Sequence, residues 1–196
     1  MLWRIPKRRL EAEAIRDAML AVSGELDLTR PEASLVGRVI GDRPISLIGL
    51  DKRLSKDLDG SVYRSVYLPV IRDRLPDVLE IFDFASSSVV TGAREKTNVP
   101  TQALYLMNSS FVQDRAASLA QRFRKEAGDD RRAGVRFVFQ LCFSRPPTSD
   151  EESSALDFLS AGSAQSDTAN DSNAQADALS SFCQAILSTA EFRNLD

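Results

Sequence analysis

Apolar positions along this chain recur mostly with a helical period. Between residues 8 and 23, Leu10, Ala14, Ile15, Ala18, Met19 and Val22 follow at spacings of one, three and four, which draws one apolar stripe along a helix. Arg9 and Glu13 stand at i and i+4 on its wet face, and Ser23-Gly24 supplies a stop. The same period predicts helices over "LPDVLEIFDF", with Val78, Leu79 and Phe82 inward, and over "TQALYLM", opened by Pro100 and capped by Asn98 or Thr101. It continues in a long stripe of Phe111, Val112, Ala116, Leu119, Ala120 and Phe123 that ends at Ala127-Gly128, and in a helix over about 131–143. Thr148 with Glu151 three residues on is a capping box for a helix carrying Ala155, Leu156 and Leu159. A last helix over about 176–190 buries Leu179, Phe182, Cys183, Ile186 and Leu187.

Other stretches break the pattern. Thr29, Pro31 and Glu32 are start signals for a short helix that Gly41 would end. "ISLIGL" and "SVYRSVYLPVI" are rich in β-branched and aromatic residues and read as extended, the second held to an edge by Pro69. Residues 85–98 read as a loop. Residues 160–177 are Ser, Ala, Asp, Asn and Gln with little to bury, and read as a flexible low-complexity insert. The predicted fold is mainly α: an irregular helical bundle with a small extended element near residues 45–71, forming a single domain over 1–196.

The 196 residues, 43% hydrophobic and 27% charged, have the composition of a globular chain long enough to bury a core. The net charge of −3 is unevenly placed: residues 148–196 hold nine Asp/Glu and one Arg, whereas residues 1–147 hold 24 Lys/Arg and 19 Asp/Glu. The basic side chains of the first part are scattered and lack a stacking aromatic series, so nucleic-acid binding is the weakest of the functional readings. There is no histidine, which removes the usual general base and metal ligand and the Ser-His and Cys-His pairings. Cys142 and Cys183 each lie in an apolar run and read as free buried thiols. No stretch approaches a membrane span and the first residues do not form a signal peptide, so the chain, read as a complete protein, is expected in the cytoplasm.

Glycine-rich phosphate loops, nucleophile elbows and Ser-x-x-Lys motifs are absent. "DLDGS" lacks the glycine and the closing glutamate of a calcium loop and reads as a turn. Glu80 and Asp83, one helical turn apart, are the candidate acid–base pair, a role that needs one carboxyl buried with a raised pKa. Arg64, Arg72 and Arg94 flank the extended segment and the loop before Pro100. They can form an anion site with the helix start at Thr101, or hold the carbonyls and carboxylates of the irregular loop. Gln102 and Asn108 have the same two readings: a ligand contact, or an amide that pins neighbouring backbone.

Three stretches, "RRLEAEAIRDAMLAVSGELD", "YRSVYLPVIRDRLPDVLEIFDF" and "TNVPTQALYLMNSSFVQDRA", closely resemble the planctomycete-specific domain family of unknown function. The resemblance runs from about Leu2 to Phe192, and "FCQAILSTAEFRNLD" is similar to that family's closing helix. Members of the family lie C-terminal to planctomycete cytochrome c domains in large exported proteins. The resemblance therefore implies an envelope or periplasmic location and cytochrome c-type domains as partners, with the haem ligands in those domains and no cofactor in this chain. Family members begin earlier than Leu2, so this chain is expected to be the C-terminal piece of a longer protein and to pack on its N-terminal remainder. Where the family has a Gly-Gly-Pro turn, this chain has Leu28-Thr29-Arg30-Pro31-Glu32. The leading functional expectation is a non-catalytic helical module that packs on and positions a partner. The alternative is a polysaccharide-acting hydrolase or carbohydrate-binding domain using Glu80, Asp83, Arg94 and Gln102, with Trp3, Tyr63, Tyr67 and Tyr105 as its aromatics.

Overall fold

A computed structural model describes residues 7–33, 58, 60–70, 75–86, 88–128, 130–164 and 171–195. The fold is mainly helical, with only a small two-stranded antiparallel sheet. The chain divides into two compact units, one drawn from residues 1–21 and 25–105, the other from residues 22–24 and 106–195.

The first unit is loop-rich. Helix α1 spans Ala12–Ser23. Ala12, Ile15, Met19 and Leu20 are buried along it, together with Leu58, Leu68, Val78, Leu79 and Phe82 of the same unit. The helix starts later than its apolar stripe suggested, so Arg9 lies outside it and the expected Arg9–Glu13 pair on a wet face does not exist. Gly24, at φ 82°, ends the helix in the left-handed region that its lack of a Cβ permits. Helix α2 covers Asp77–Ile81, and α3 covers Pro100–Asn108, with Pro100 at its first position. Gln102 and Leu106 are the buried residues of α3, one helical turn apart, while Leu104 and Met107 face outward at 57% and 63% exposure.

Of the extended element expected near residues 45–71, "ISLIGL" lies outside the described residues, as do Arg72, Trp3 and the two aspartates of "DLDGS", Asp57 and Asp59. The second segment makes one parallel bridge, Tyr63 with Asp27, and then a 3-10 turn over Ser65–Tyr67. A longer ladder is pre-empted because the carbonyls of Ser61 and Tyr63 accept from the Arg16 guanidinium. The predicted helix after Thr29 is a bend over its described residues, where Asp27 Oδ1 accepts from the Thr29 amide and hydroxyl.

The second unit is a helical bundle of α4 (Ser110–Ala127), α5 (Arg131–Phe143), α6 (Ser149–Ala164), α7 (Asp171–Ser188) and the short α8 (Ala190–Arg193). Helix α7 packs chiefly on α4 and α6, and α4 on α5. Phe111, Leu119, Phe123, Val138, Phe182 and Leu187 are among its buried residues. Asp130 caps α5 by accepting from the Arg132 and Ala133 amides. The Thr148–Glu151 capping box opens α6, with the Thr148 amide donating to Glu151 at 2.7 Å. The two ends of the expected insert are helical, residues 160–164 closing α6 and 171–177 opening α7, while 165–170 lie outside the described residues.

A single guanidinium closes the far end of this bundle. Arg145 donates to both oxygens of Glu151 at 2.8 Å, to both oxygens of Glu191 at 2.7 Å and to the Pro146 carbonyl at 3.1 Å. It also lies over the rings of Phe139 and Phe143. Its hydrogen bonds are the main cause that brings the Glu151 carboxyl down to about 2. Cys183 is buried and Cys142 half-buried, both as free thiols. Burial pushes the Cys142 thiol up to about 12 and that of Cys183 higher still, so neither is a ready nucleophile.

Close packing of α4 on α5 depends on a missing side chain. A Cβ at Gly134 would overlap the Phe123 ring. In an exposed helix interior Gly→Ala gains about 1 kcal/mol. Here Gly134→Ala is expected to lose about 1–3 kcal/mol instead, by overpacking. A lower denaturant midpoint at unchanged slope would show this, and an unchanged or higher midpoint would contradict it.

Candidate functional site

Two clusters gather the residues singled out in the sequence, and both belong to the first unit. The first is a polar knot at the end of α2. Asp83 sits just past the helix in the left-handed region, at φ 64°. Its side chain is 14% exposed and pairs with Arg9, itself 13% exposed, at 2.5 Å. The Thr97 amide and hydroxyl donate to the same carboxylate at 2.8 Å. Arg9 also donates to the carbonyls of Thr97 and Phe82. Gln102, 1% exposed, donates through Nε2 to the Ile81 carbonyl at 3.0 Å and to the Thr97 hydroxyl at 3.2 Å. A relay therefore runs from the Gln102 amide through the Thr97 hydroxyl to Asp83, and it ties α3 to the end of α2.

This geometry defines the chemistry open to Asp83. Burial would raise its carboxyl, but the Arg9 and Thr97 hydrogen bonds outweigh burial and hold it below the ordinary carboxylate range. A general acid needs the opposite shift. Glu80, its candidate partner, is exposed on α2. Thr101 and Asn108 are exposed on α3, away from the buried face that carries Gln102.

The second cluster is a groove of about 500 Å³ along α1. Arg64 and Arg94 both line it, together with Glu11, Glu13 and Asp17 and an apolar wall of Val66, Leu68, Val70 and Phe84. One nitrogen of Arg94 serves Glu11 at 3.3 Å and Glu13 at 2.7 Å, and the guanidinium stacks over Phe84, 4.9 Å from its ring centre. The Glu13 hydrogen bond is the main cause that raises Arg94 above its ordinary value. At the other end Asp17 accepts from the Ser65 amide and hydroxyl at 2.7 and 2.6 Å, with Arg64 3.6 Å away. Behind it the fully buried Arg16 donates to the Ser65 hydroxyl at 3.2 Å and to the Tyr63 carbonyl at 2.9 Å.

Sequence reasoning missed Arg9, Thr97 and Arg16. Arg16 had a usable signal, since it falls between Ile15 and Met19 on the inward side of α1, where a charge must find partners. Arg9 and Thr97 gave none, because their partners are 74 and 14 positions away. Among the described residues, no group of three or more His, Cys, Asp or Glu is arranged to hold a metal, and no helix is long and apolar enough to cross a membrane.

Because Asp83 is held ionised in the folded chain, it contributes stability above the unfolded carboxylate range, and that contribution is lost as pH falls through its folded value. Asparagine tolerates the left-handed region. Asp83→Asn is therefore expected to cost about 1–3 kcal/mol at neutral pH through lost charged hydrogen bonds. It should also flatten the fall in stability below about pH 4. Denaturant midpoints across that range check both; parallel curves for the two proteins would refute the assignment.

A family model described as PSD1, protein of unknown function (DUF1553), matches residues 1–159. Comparison with curated proteins and with solved structures gives no match.

Proposed function

The chain belongs to the PSD1 family of proteins of unknown function (DUF1553), and we propose that it works as a non-catalytic helical module of a larger exported protein. In this reading it packs against the N-terminal remainder of its parent and positions cytochrome c-type domains in the cell envelope. The observation that carries the reading is the outer side of α3. Val99, Pro100, Ala103 and Leu104 are all exposed there, and Leu104 is 57% exposed on a helix that buries only Gln102 and Leu106. Apolar side chains gathered on one helix face suit contact with another polypeptide. The fate of the candidate acids supports the non-catalytic part. Asp83 is spent on loop and helix positioning, and Glu80 stands on the open surface.

The test uses the full chain and the purified segment that precedes it in its parent, mixed and followed by light scattering. Leu104→Ser should leave the chain's own stability within about 0.5 kcal/mol, as for exposed sites generally. Its association with the segment should weaken about fivefold or more, the scale of one lost apolar contact of about 1 kcal/mol. No association by the wild-type chain would overturn the reading. So would polysaccharide hydrolysis that disappears in Glu80→Gln.

A further inference from the structure

Between α2 and α3 the chain makes a loop that is clasped at its base and open at its tip. Asp83, just past α2, accepts from the Thr97 amide and hydroxyl at 2.8 Å, which closes the base. A second clasp follows: Arg94 lies over Phe84, 4.9 Å from the ring centre, and donates to Glu13 at 2.7 Å. Beyond the clasps, Ser88 to Ala93 lie outside helix and strand and are all exposed. Val89 is 67% exposed and Val90 100%. A Cβ on Gly92 would meet nothing within 4 Å. Within this stretch the Thr91 hydroxyl donates to the Val89 carbonyl at 3.2 Å, a contact between residues two apart.

An endoprotease needs a segment that can leave the surface and lie extended in its cleft, so cuts fall where no buried contact has to break. Ser88 to Ala93 supply three residues on each side of the Val90–Thr91 bond. We infer that this bond is a processing site for an endoprotease that takes an aliphatic side chain, and that the cut chain stays assembled. Hydrolysis breaks the peptide C–N bond and adds one water, leaving a carboxylate on Val90 and an amine on Thr91. The fully exposed Val90 side chain can enter a specificity pocket without leaving any packed position. The basic residues of the same loop are poor sites by the same criterion. The Arg94 guanidinium is stacked and paired. Lys96 is exposed, but the amide of the bond that follows it, on Thr97, donates to Asp83, and the Thr97 carbonyl accepts from Arg9. The two pieces stay joined through contacts that do not run through the tip. Arg9 and Asp83 on the first piece hold Thr97 on the second, Ile81 accepts from Gln102, and Glu13 accepts from Arg94. The tip is separate from the outer face of α3, so a failure of docking there leaves this site untouched.

Limited digestion of the full chain with an elastase that cleaves after valine, read by mass spectrometry at early times, is expected to give pieces 1–90 and 91–196. The pieces should elute together from a sizing column. Trypsin should cut after Arg94 and Lys96 at least about tenfold more slowly in the folded chain than in a synthetic peptide of residues 82–100, because the clasps must open first. Val90→Asp, at an exposed site, should leave the fold intact. It should slow the elastase cut at this bond about tenfold or more, because an apolar pocket does not take a carboxylate. No cut at Val90–Thr91 in the folded chain, an undiminished cut in Val90→Asp, equal trypsin rates in chain and peptide, or separation of the two pieces would each overturn the inference.

Discussion

Backbone carbonyls in loops and in the last turns of helices must find donors, and in this protein long side chains from elsewhere in the fold supply them. Arg16 donates to the carbonyls of Ser61 and Tyr63, Arg9 to those of Phe82 and Thr97, and Gln102 to that of Ile81. The second unit uses the same device. Arg122 donates to the Val22 carbonyl at 2.7 Å, and Gln184 to those of Leu106 and Met107 at 3.0 and 2.9 Å. A buried carbonyl left without a donor costs about 1–3 kcal/mol, so each of these side chains fixes a loop or the C-terminal turn of a helix, whose last carbonyls have no partner within the helix.

The constraint acts on charge as well. Arg16 is fully buried, a position that costs heavily unless its donors are used. Among the described residues it donates to backbone carbonyls and to the Ser65 hydroxyl, and Ser65 is itself held by Asp17, 3.7 Å from the same guanidinium. Asp17 is thus anchored from behind while facing the groove, with Arg64 left half-exposed beside it. The same logic explains Asp83. A carboxylate that accepts from Arg9 and twice from Thr97 is well suited to hold a left-handed corner and poorly suited to give up a proton.

Much of the helical part was legible in the residues. Stripes of Phe111, Val112, Ala116 and Leu119, the cap at Thr148, Pro100 at a first turn and glycines at 24 and 128 all act over a few positions, and all are found where their chemistry puts them. The start of α1 was misjudged because Leu10 continues the apolar period without being helical. The segment over residues 61–70 has strand-like composition, yet its carbonyls bond to Arg16 and it turns instead. Of the candidate site residues, Arg94 and Arg64 meet in one groove and Gln102 and Asp83 in one network. Neither grouping follows from spacing along the chain.

By itself the sequence determined that this protein is mainly helical, where most of its helices start and stop, and that the histidine-based routes to catalysis and metal binding are closed to it. These follow from local periodicity, capping and composition, which need no knowledge of distant partners. The pairing of Arg9 with Asp83, of Arg94 with Glu11 and Glu13, and of Arg16 with the backbone at Ser61 and Tyr63 was decided only by tertiary structure. A long charged side chain can reach many partners, and which of them it meets depends on how segments 45 to 83 positions apart are brought together.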